Sequence, residues 1–355
     1  MSLSIEGVGT ALPALSLPQE KSAAWSQQAA WGNGRRRLIP AVFLRTGIRN
    51  RHSVVLEGDP VRQEFFPPAR DASDGGPTTR ERMERYAREA PALALRAARA
   101  ALADAAPEAP SITHLVTVSC SGFSAPGFDV ALIKDLGLPP TVSRTHVGFM
   151  GCHGALNGLR VARAFVESDP KCRVLLCAVE MCSLHYDYRT ETARILANAL
   201  FADGAAALVA GPGAGGWQLV ASGAALLPGS EDQMTWSIGD HGFEMGLSPR
   251  VPATIKEHLR PWLAGWLAAQ GLDLPAVRSW AIHPGGPAIL GVVEEALGLE
   301  PEATRDSRAV LEEYGNMSSP TVLFVIDRLR RRDAPRPCVA LGFGPGLAAE
   351  AALFL

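Results

Sequence analysis

Gly211-Pro212-Gly213-Ala214-Gly215-Gly216 is the clearest break in the chain, and the pattern on either side of it decides the fold class. Glycine and proline at this density read as a linker. Upstream, apolar runs of strand length alternate with amphipathic stretches of helical length. Ile112 to Cys120 reads as a strand closed by a turn at Ser121-Gly122. Tyr86 to Ala105 places Ala90, Leu93, Ala98 and Ala101 at helical spacing. Arg173 to Val179 reads as a strand buried on both faces, and Ala205 to Ala210 as another short one. Beyond the break the rhythm restarts with a strand from Trp217 to Ala221 and a helix from Ala253 to Gln270. A strand from Ser279 to Ile282 follows, then helices from Ala288 to Leu297 and Pro320 to Arg331, and a last strand and tight turn from Val339 to Gly346. The reading is an α/β protein of two halves, 1–212 and 213–355, alike in rhythm but without a residue-level repeat. Gly58 to Arg80, rich in proline and charge, reads as an irregular excursion.

Composition narrows the function classes. The chain has 355 residues, 47% of them hydrophobic and 20% charged, enough for a large core and unlike a disordered segment. With 34 Lys and Arg against 36 Asp and Glu the net charge is −2, so no strong basic field attracts nucleic acid. Arg35-Arg36-Arg37 and Arg328 to Arg332 are local basic clusters. A solvated surface is the ordinary reading of both; an anchor for ligand phosphates, through Arg37 or Arg45, is the alternative. The six cysteines show no CxxC pair, so a structural metal is not expected. No secretory leader is apparent, and no apolar run approaches the roughly 18 residues of a membrane span. A reduced cytoplasmic protein without membrane or nucleic-acid partners is the expectation.

Three residues carry the chemistry. Cys152, in Phe149-Met150-Gly151-Cys152-His153-Gly154, lies where a loop becomes a helix. Free N–H groups and the helix dipole there lower a thiol's pKa. His283 ends a strand in the rigid turn Pro284-Gly285-Gly286-Pro287. Asn316 follows Gly315 and precedes Met317-Ser318-Ser319-Pro320, where Ser318 or Ser319 is placed to cap a helix. A buried cysteine, a turn histidine and a turn asparagine are the plain readings of each residue alone. Together, a thiol, an imidazole and a neutral amide can attack a carbonyl and stabilise an oxyanion or enolate without adding charge. His153 is the weaker partner for the thiol, because adjacent helical side chains diverge. Phe201 reads as core or cavity wall.

The segments Gly151-Cys152, Ala199-Leu200-Phe201-Ala202-Asp203-Gly204-Ala205, His283-Pro284-Gly285-Gly286-Pro287, Glu313-Tyr314-Gly315-Asn316-Met317-Ser318-Ser319 and Gly342-Phe343-Gly344-Pro345-Gly346 resemble the type III polyketide synthases, the chalcone-synthase-like branch of the thiolase superfamily. They lie in that family's order and cover most of the chain after about Val116; the first hundred residues match loosely. The resemblance implies a five-layered αβαβα thiolase fold, a homodimer, and no cofactor, with acyl-CoA and malonyl-CoA as small-molecule substrates. It implies that Cys152 carries the acyl chain while His283 and Asn316 bind the thioester carbonyl during decarboxylation. Phe201 is then the wall between the CoA tunnel and the cavity, Arg45 a CoA contact, and Cys120, His185, Pro249, Ser318 and Gly344 belong to the substrate pocket. Ser121 to Gly127 matches the segment that reaches into the partner subunit, with Ala125 where plant members carry methionine. Departures from the plant pattern are Cys120 and His185 in place of small hydroxyl residues, Asp240 near a glycine position, and no second phenylalanine near Gly246-Leu247-Ser248-Pro249.

The expected activity is therefore an acyltransferase reaction: iterative decarboxylative Claisen condensation on Cys152, then closure to a pyrone or phenolic ring. Two rivals stand beside it. A ketoacyl-acyl-carrier-protein synthase III-like enzyme shares the fold and the three residues, but that family carries an asparagine shortly after the histidine. A cysteine-dependent thioesterase or hydrolase predicts cleavage without malonyl-CoA, and no acidic residue lies beside His283.

Overall fold

The computed structural model describes residues 2–31, 35–105 and 111–355. Its frame is a nine-stranded mixed sheet, and the residue alternation along the strands explains how that sheet is covered. In Val174–Met181, Leu175, Cys177 and Val179 join one core while Val174, Leu176 and Ala178 join another. Apolar residues on both faces mark a strand that needs a helical layer on each side. Helix Thr79–Asp104 supplies the outer layer through Tyr86, Leu93, Ala97 and Ala101. Helix Gly154–Ser168 supplies the inner one through Ala155, Leu159 and Ala162.

The second half repeats this logic. Trp280 and Ile282 of Ser279–Ile282, with Val339 and Leu341 of Cys338–Gly344, face helices Val251–Ala268 and Pro287–Leu297. Ala281, Cys338 and Ala340 face the central core, which they share with helix Thr321–Arg331. The two halves of the continuous sheet thus serve as two layers, giving the order helix, sheet, helix, sheet, helix of the thiolase-like arrangement.

The sheet runs Ser279–Ile282, Cys338–Gly344, Ala348–Phe354, Trp217–Leu226, Ser2–Ala11, Asp203–Gly213, Val174–Met181, His114–Ser119, Ser143–Gly148. The first strand lies between the two that flank the glycine-rich break, pairing antiparallel with both. Gly211 to Gly213, read from sequence as linker, therefore continue a strand. Gly7 and Gly9 let the first strand lie against helix Thr79–Asp104, because a Cβ at either would enter the helix backbone. The excursion from Gly58 to Arg80 is irregular apart from the short pairing of Leu56–Glu57 with Arg62–Gln63, and it carries Phe66 into the outer core. Among the described residues no helix is long and apolar enough to cross a membrane.

Candidate active site

Strand direction builds the site. His114–Ser119, Ser143–Gly148 and Val174–Met181 are parallel, so their C-terminal ends bring Cys120-Ser121, the Cys152 turn and Glu180-Met181-Cys182 together. In the other half, parallel Ser279–Ile282 and Cys338–Gly344 end in His283 and Pro345. Ligands of α/β sheets bind at such strand ends.

Cys152 lies in the turn Gly151–His153, ahead of helix Gly154–Ser168. Gly151 holds φ 69° and is pressed against the Pro345 ring, so a side chain there would be excluded twice over. The strand Cys338–Gly344 joins the two halves of the site: His283 N–H donates to Leu341 O at 2.7 Å, and Gly342 and Gly344 pack under His153. Gly344 thereby supports the Cys152 turn, and Pro345 is the residue of that corner that lines the cavity.

Asn316 is fixed from its backbone outward. Its N–H donates to Leu200 O at 2.9 Å and its carbonyl accepts from Ala202 N–H at 2.9 Å, so it bridges beside Phe201. Its Oδ1 accepts from the Ser318 N–H at 2.8 Å, which leaves Nδ2 facing the Gly285 carbonyl at 3.4 Å. Ser318, at φ 57°, turns its hydroxyl toward Cys120 Sγ at 3.4 Å and also toward Cys152. Ser319 donates to Glu180. Neither serine caps the following helix, whose first turn has Pro320 before it and no side-chain cap.

Electrostatics in the unliganded site follow burial. Burial pushes the Cys152 thiol up to about 11, against hydrogen bonds from Ser318 and Asn316 that favour the thiolate. The depressed thiol expected from the helix terminus alone is therefore not the resting state. His283 is 1% exposed, and burial holds it down to about 3. Neither of its ring nitrogens has a hydrogen-bond partner. These two unpartnered buried nitrogens lie near His153, the residue after Cys152, while His283 itself is outside the lining of the spaces beside Cys152.

The space over Cys152, about 390 Å³ measured to its open mouth, is walled by Cys120, Phe201, Met234, Trp236, Met245 and Ser318, among others. Phe201, Cys182, Trp236 and Met245 also border a second space of about 850 Å³, measured to its open mouth. That space reaches Trp25, Phe43 and Phe66. Phe201 thus stands between two compartments. His185 lines the larger one but is fully committed: Nε2–H donates to Ser121 O at 2.7 Å and Nδ1 accepts from Phe243 N–H at 2.9 Å. Its ring stacks on Phe243 at 4.3 Å, and burial holds it at about 3, so it is a neutral wall. Pro249 is exposed and lies outside the lining of both spaces, as does Asp240 at the hairpin tip. Arg45, at the end of helix Ile39–Arg45, is exposed and also outside the lining, although Phe43 of the same helix contributes to it.

Several residues of the site are absent from the sequence reading. Glu180 is fully buried, and it accepts from the backbone N–H groups of Cys120 and Ser121 and from Ser121 Oγ at 2.6 Å. A charged residue ending the run Leu175-Leu176-Cys177-Ala178-Val179 was the available signal. Trp236 and Phe243 come from the hairpin Met234–Gly239 and Gly242–Leu247; Trp236 Nε1–H donates to Cys120 O at 2.7 Å. Aromatic residues of this hairpin do reach the site: Trp236 borders both spaces and Phe243 the larger one, and none comes from the position near Pro249. Among the described residues no three His, Cys, Asp or Glu side chains converge as a metal site.

A thiolase-like fold with a half-buried thiol, an amide and an unpaired imidazole gathered from the strand ends of its two halves defines a condensing-enzyme class. The chain belongs to the chalcone and stilbene synthases: their N-terminal domain matches residues 3–214 and their C-terminal domain residues 218–355. It is 32% identical to the alpha-pyrone synthesis polyketide synthase-like Pks18 of Mycobacterium tuberculosis, over 99% of this chain and 90% of that protein. It is likewise 32% identical to type III polyketide synthase C of Arabidopsis thaliana, over 86% of this chain and 82% of that one. The crystal structure of PKS-I from the brown alga Ectocarpus siliculosus superposes with a TM-score of 0.90 at 31% identity, covering 99% of this chain and 98% of that one. The protein is a type III polyketide synthase, an acyltransferase of the condensing type.

Proposed function

We propose that Cys152 takes a starter acyl group from coenzyme A and extends it with malonyl-CoA, with no metal or organic cofactor. As the substrate thioester enters, the Cys152 proton passes to His283. The thiolate sulfur bonds to the acyl carbon, the carbon–sulfur bond to coenzyme A breaks, and the departing sulfur takes the proton. Malonyl-CoA then loses carbon dioxide, the enolate carbon bonds to the acyl carbon of the Cys152 thioester, and the bond from that carbon to the Cys152 sulfur breaks, leaving a free thiolate and the extended β-ketoacyl chain on coenzyme A. His283 and the Asn316 amide donate to the thioester oxygen as it gains charge. A neutral amide suits this step because a carboxylate there would repel the enolate. The observation that carries the reading is a cavity-lining thiol, hydrogen-bonded by Ser318 and Asn316, on the turn whose His153 lies near His283, a buried imidazole with both nitrogens unpartnered.

The largely apolar walls, with Phe201, Met234, Trp236 and Met245, favour an apolar chain that folds back on itself, giving a pyrone or phenolic ring. A homodimer is proposed on the exposed apolar residues Phe123, Met150 and Leu226, at 42%, 39% and 67% exposure, since Phe123 belongs to the segment Ser121 to Gly127. Six cysteines, all free thiols, fit a reducing cytoplasm. The test of the nucleophile is intact-protein mass after mixing with a starter acyl-CoA alone. One acyl group should appear, map to the Cys152 peptide and vanish in Cys152→Ala. Acylation persisting in that variant would place the nucleophile elsewhere.

A further inference from the structure

His153 follows Cys152, is 2% exposed and lies near His283, yet the condensation steps above do not use it. It stands one helical turn before Asn157, at the start of helix Gly154–Ser168, so the two side chains meet. His153 Nδ1 lies 2.6 Å from Asn157 Oδ1, and Asn157 Nδ2 donates to Glu350 Oε1 at 2.9 Å. Glu350, on strand Ala348–Phe354, is ion-paired through its other oxygen with Arg160 of the same helix. Asn157 and Glu350 are buried, whereas the Arg160 side chain is 44% exposed. A continuous chain of polar contacts therefore runs from solvent to the residue beside the nucleophile.

That chain fixes a tautomer. A carboxylate only accepts, so the Asn157 amide turns its nitrogen toward Glu350 and its oxygen toward His153. His153 Nδ1 then carries the proton, and Nε2 is where a second proton would go. Gly342 and Gly344 make room for the ring; a Cβ at Gly344 would come within 2.7 Å of Nε2. The charges that bear on the ring come from Glu350, Arg160 and His283, with the Cys152 thiol on its own turn. Strand Cys338–Gly344 brings no charged side chain, and the groove that His153 borders with Met150, Leu226 and Pro345 adds none besides Glu350. Burial, foremost, and Arg160 favour the neutral ring, while Asn157 and Glu350 favour the charged one. After burial, a charge on His153 is what disfavours an imidazolium at His283.

We propose that His153 is a positioning residue for proton transfer from Cys152: the Arg160–Glu350–Asn157 chain holds it neutral, as the Nδ1–H tautomer, so that the one positive charge formed beside the thiolate is on His283. The transfer breaks the Cys152 S–H bond and forms an N–H bond on His283, and His153 neither gains nor loses a proton. A proton on His153 would oppose the new charge and return the pair to thiol and neutral imidazole. This rests on reading Cys152 and His283 as the acylating pair and adds a control outside it. A plain brace under the Cys152 turn would account for the contacts but not for an acid sensitivity set by Arg160.

The probe is iodoacetamide, with the rate of carbamidomethylation at the Cys152 peptide of the full chain followed by mass from about pH 4.5 to 8. Arg160→Gln leaves Glu350 without its cation, so His153 holds a proton more tightly. The acid fall in rate should then move up by about half a pH unit, roughly a threefold loss on that limb. Glu350→Gln should move it down. His153→Gln, which takes no proton, should lack this fall and cancel the effect of Arg160→Gln in the double variant. Melting temperature and sedimentation are read alongside, since His153 and Glu350 border the groove proposed for the dimer. An acid limb that Arg160→Gln leaves in place, or moves equally with and without His153, would overturn the proposal while the acylating pair stands. A parent rate that His283→Ala leaves unchanged at every pH would overturn the pair, and this proposal with it.

Discussion

Glu180 and Ser319 meet at 2.5 Å across the two halves of the protein, carboxylate to hydroxyl, 139 residues apart. The same carboxylate accepts from the backbone of Cys120 and Ser121, so one buried acid ties three strand and loop ends beneath the nucleophile. No cation pairs with it among the described residues; burial pushes its pKa up while these hydrogen bonds pull it down. Glu180→Leu would leave several buried donors unmatched and should cost about 3 kcal/mol or more, with Glu180→Gln costing about 1 kcal/mol. Urea unfolding measures both; a Glu180→Leu protein as stable as the parent would contradict this role.

Phe201 borders both the 390 Å³ and the 850 Å³ spaces. Its truncation to alanine should join them and shift preference toward bulkier starters, with a relative kcat/KM change of roughly 10-fold for a loss of several methylenes of wall contact. An unchanged starter ranking would mean that Phe201 does not divide the compartments.

His185 gives a pH signature in stability. It is held neutral in the fold, down to about 3 from an ordinary 6.5. A base with a depressed folded pKa contributes fully above 6.5 and loses that contribution as pH falls toward 3, at about 1.4 kcal/mol for each unit. The parent should therefore lose stability faster than His185→Gln between pH 6.5 and 4. Parallel stability curves would exclude the buried neutral imidazole.

Met150 and Leu226 border one groove with Phe149, and both are exposed. If the proposed dimer uses this groove, Met150→Asp with Leu226→Asp should convert it into a monomer by sedimentation velocity, through unpaired charge placed at that interface. A dimer of parent strength in that variant would move the interface to another face.

The strands and helices of the second half were legible because their periodicity is unbroken: Ser279–Ile282 agrees with its sequence reading, and Pro287–Leu297 and Thr321–Arg331 agree to within a residue. The hairpin Met234–Leu247 was not. It is half-exposed, its alternation is weak, and its aromatic residues matter through the cavity they line. Only the first half of the linker was misread: Gly211 to Gly213 suit the end of a strand packed against Glu6 and Ser4, while Ala214 to Gly216 make the bend into the next strand. Cys152, His283 and Asn316 stood out through glycine-rich surroundings, which record a backbone need. The resting thiol's protonation was not legible, since it depends on burial by residues distant in sequence. Glu180 was hidden for the same reason: its partners are supplied by Cys120, Ser121 and Ser319 only after folding.

The central claim is carbon–carbon bond formation on Cys152. The direct measurement is product mass from purified protein given malonyl-CoA and a panel of aromatic and fatty acyl-CoA starters, beside Cys152→Ala and His283→Ala. Masses rising by successive acetate units in the parent, absent from Cys152→Ala and reduced at least 100-fold in rate in His283→Ala, are the predicted result. Free acid and coenzyme A with no extended product, or extension that survives Cys152→Ala, would contradict it.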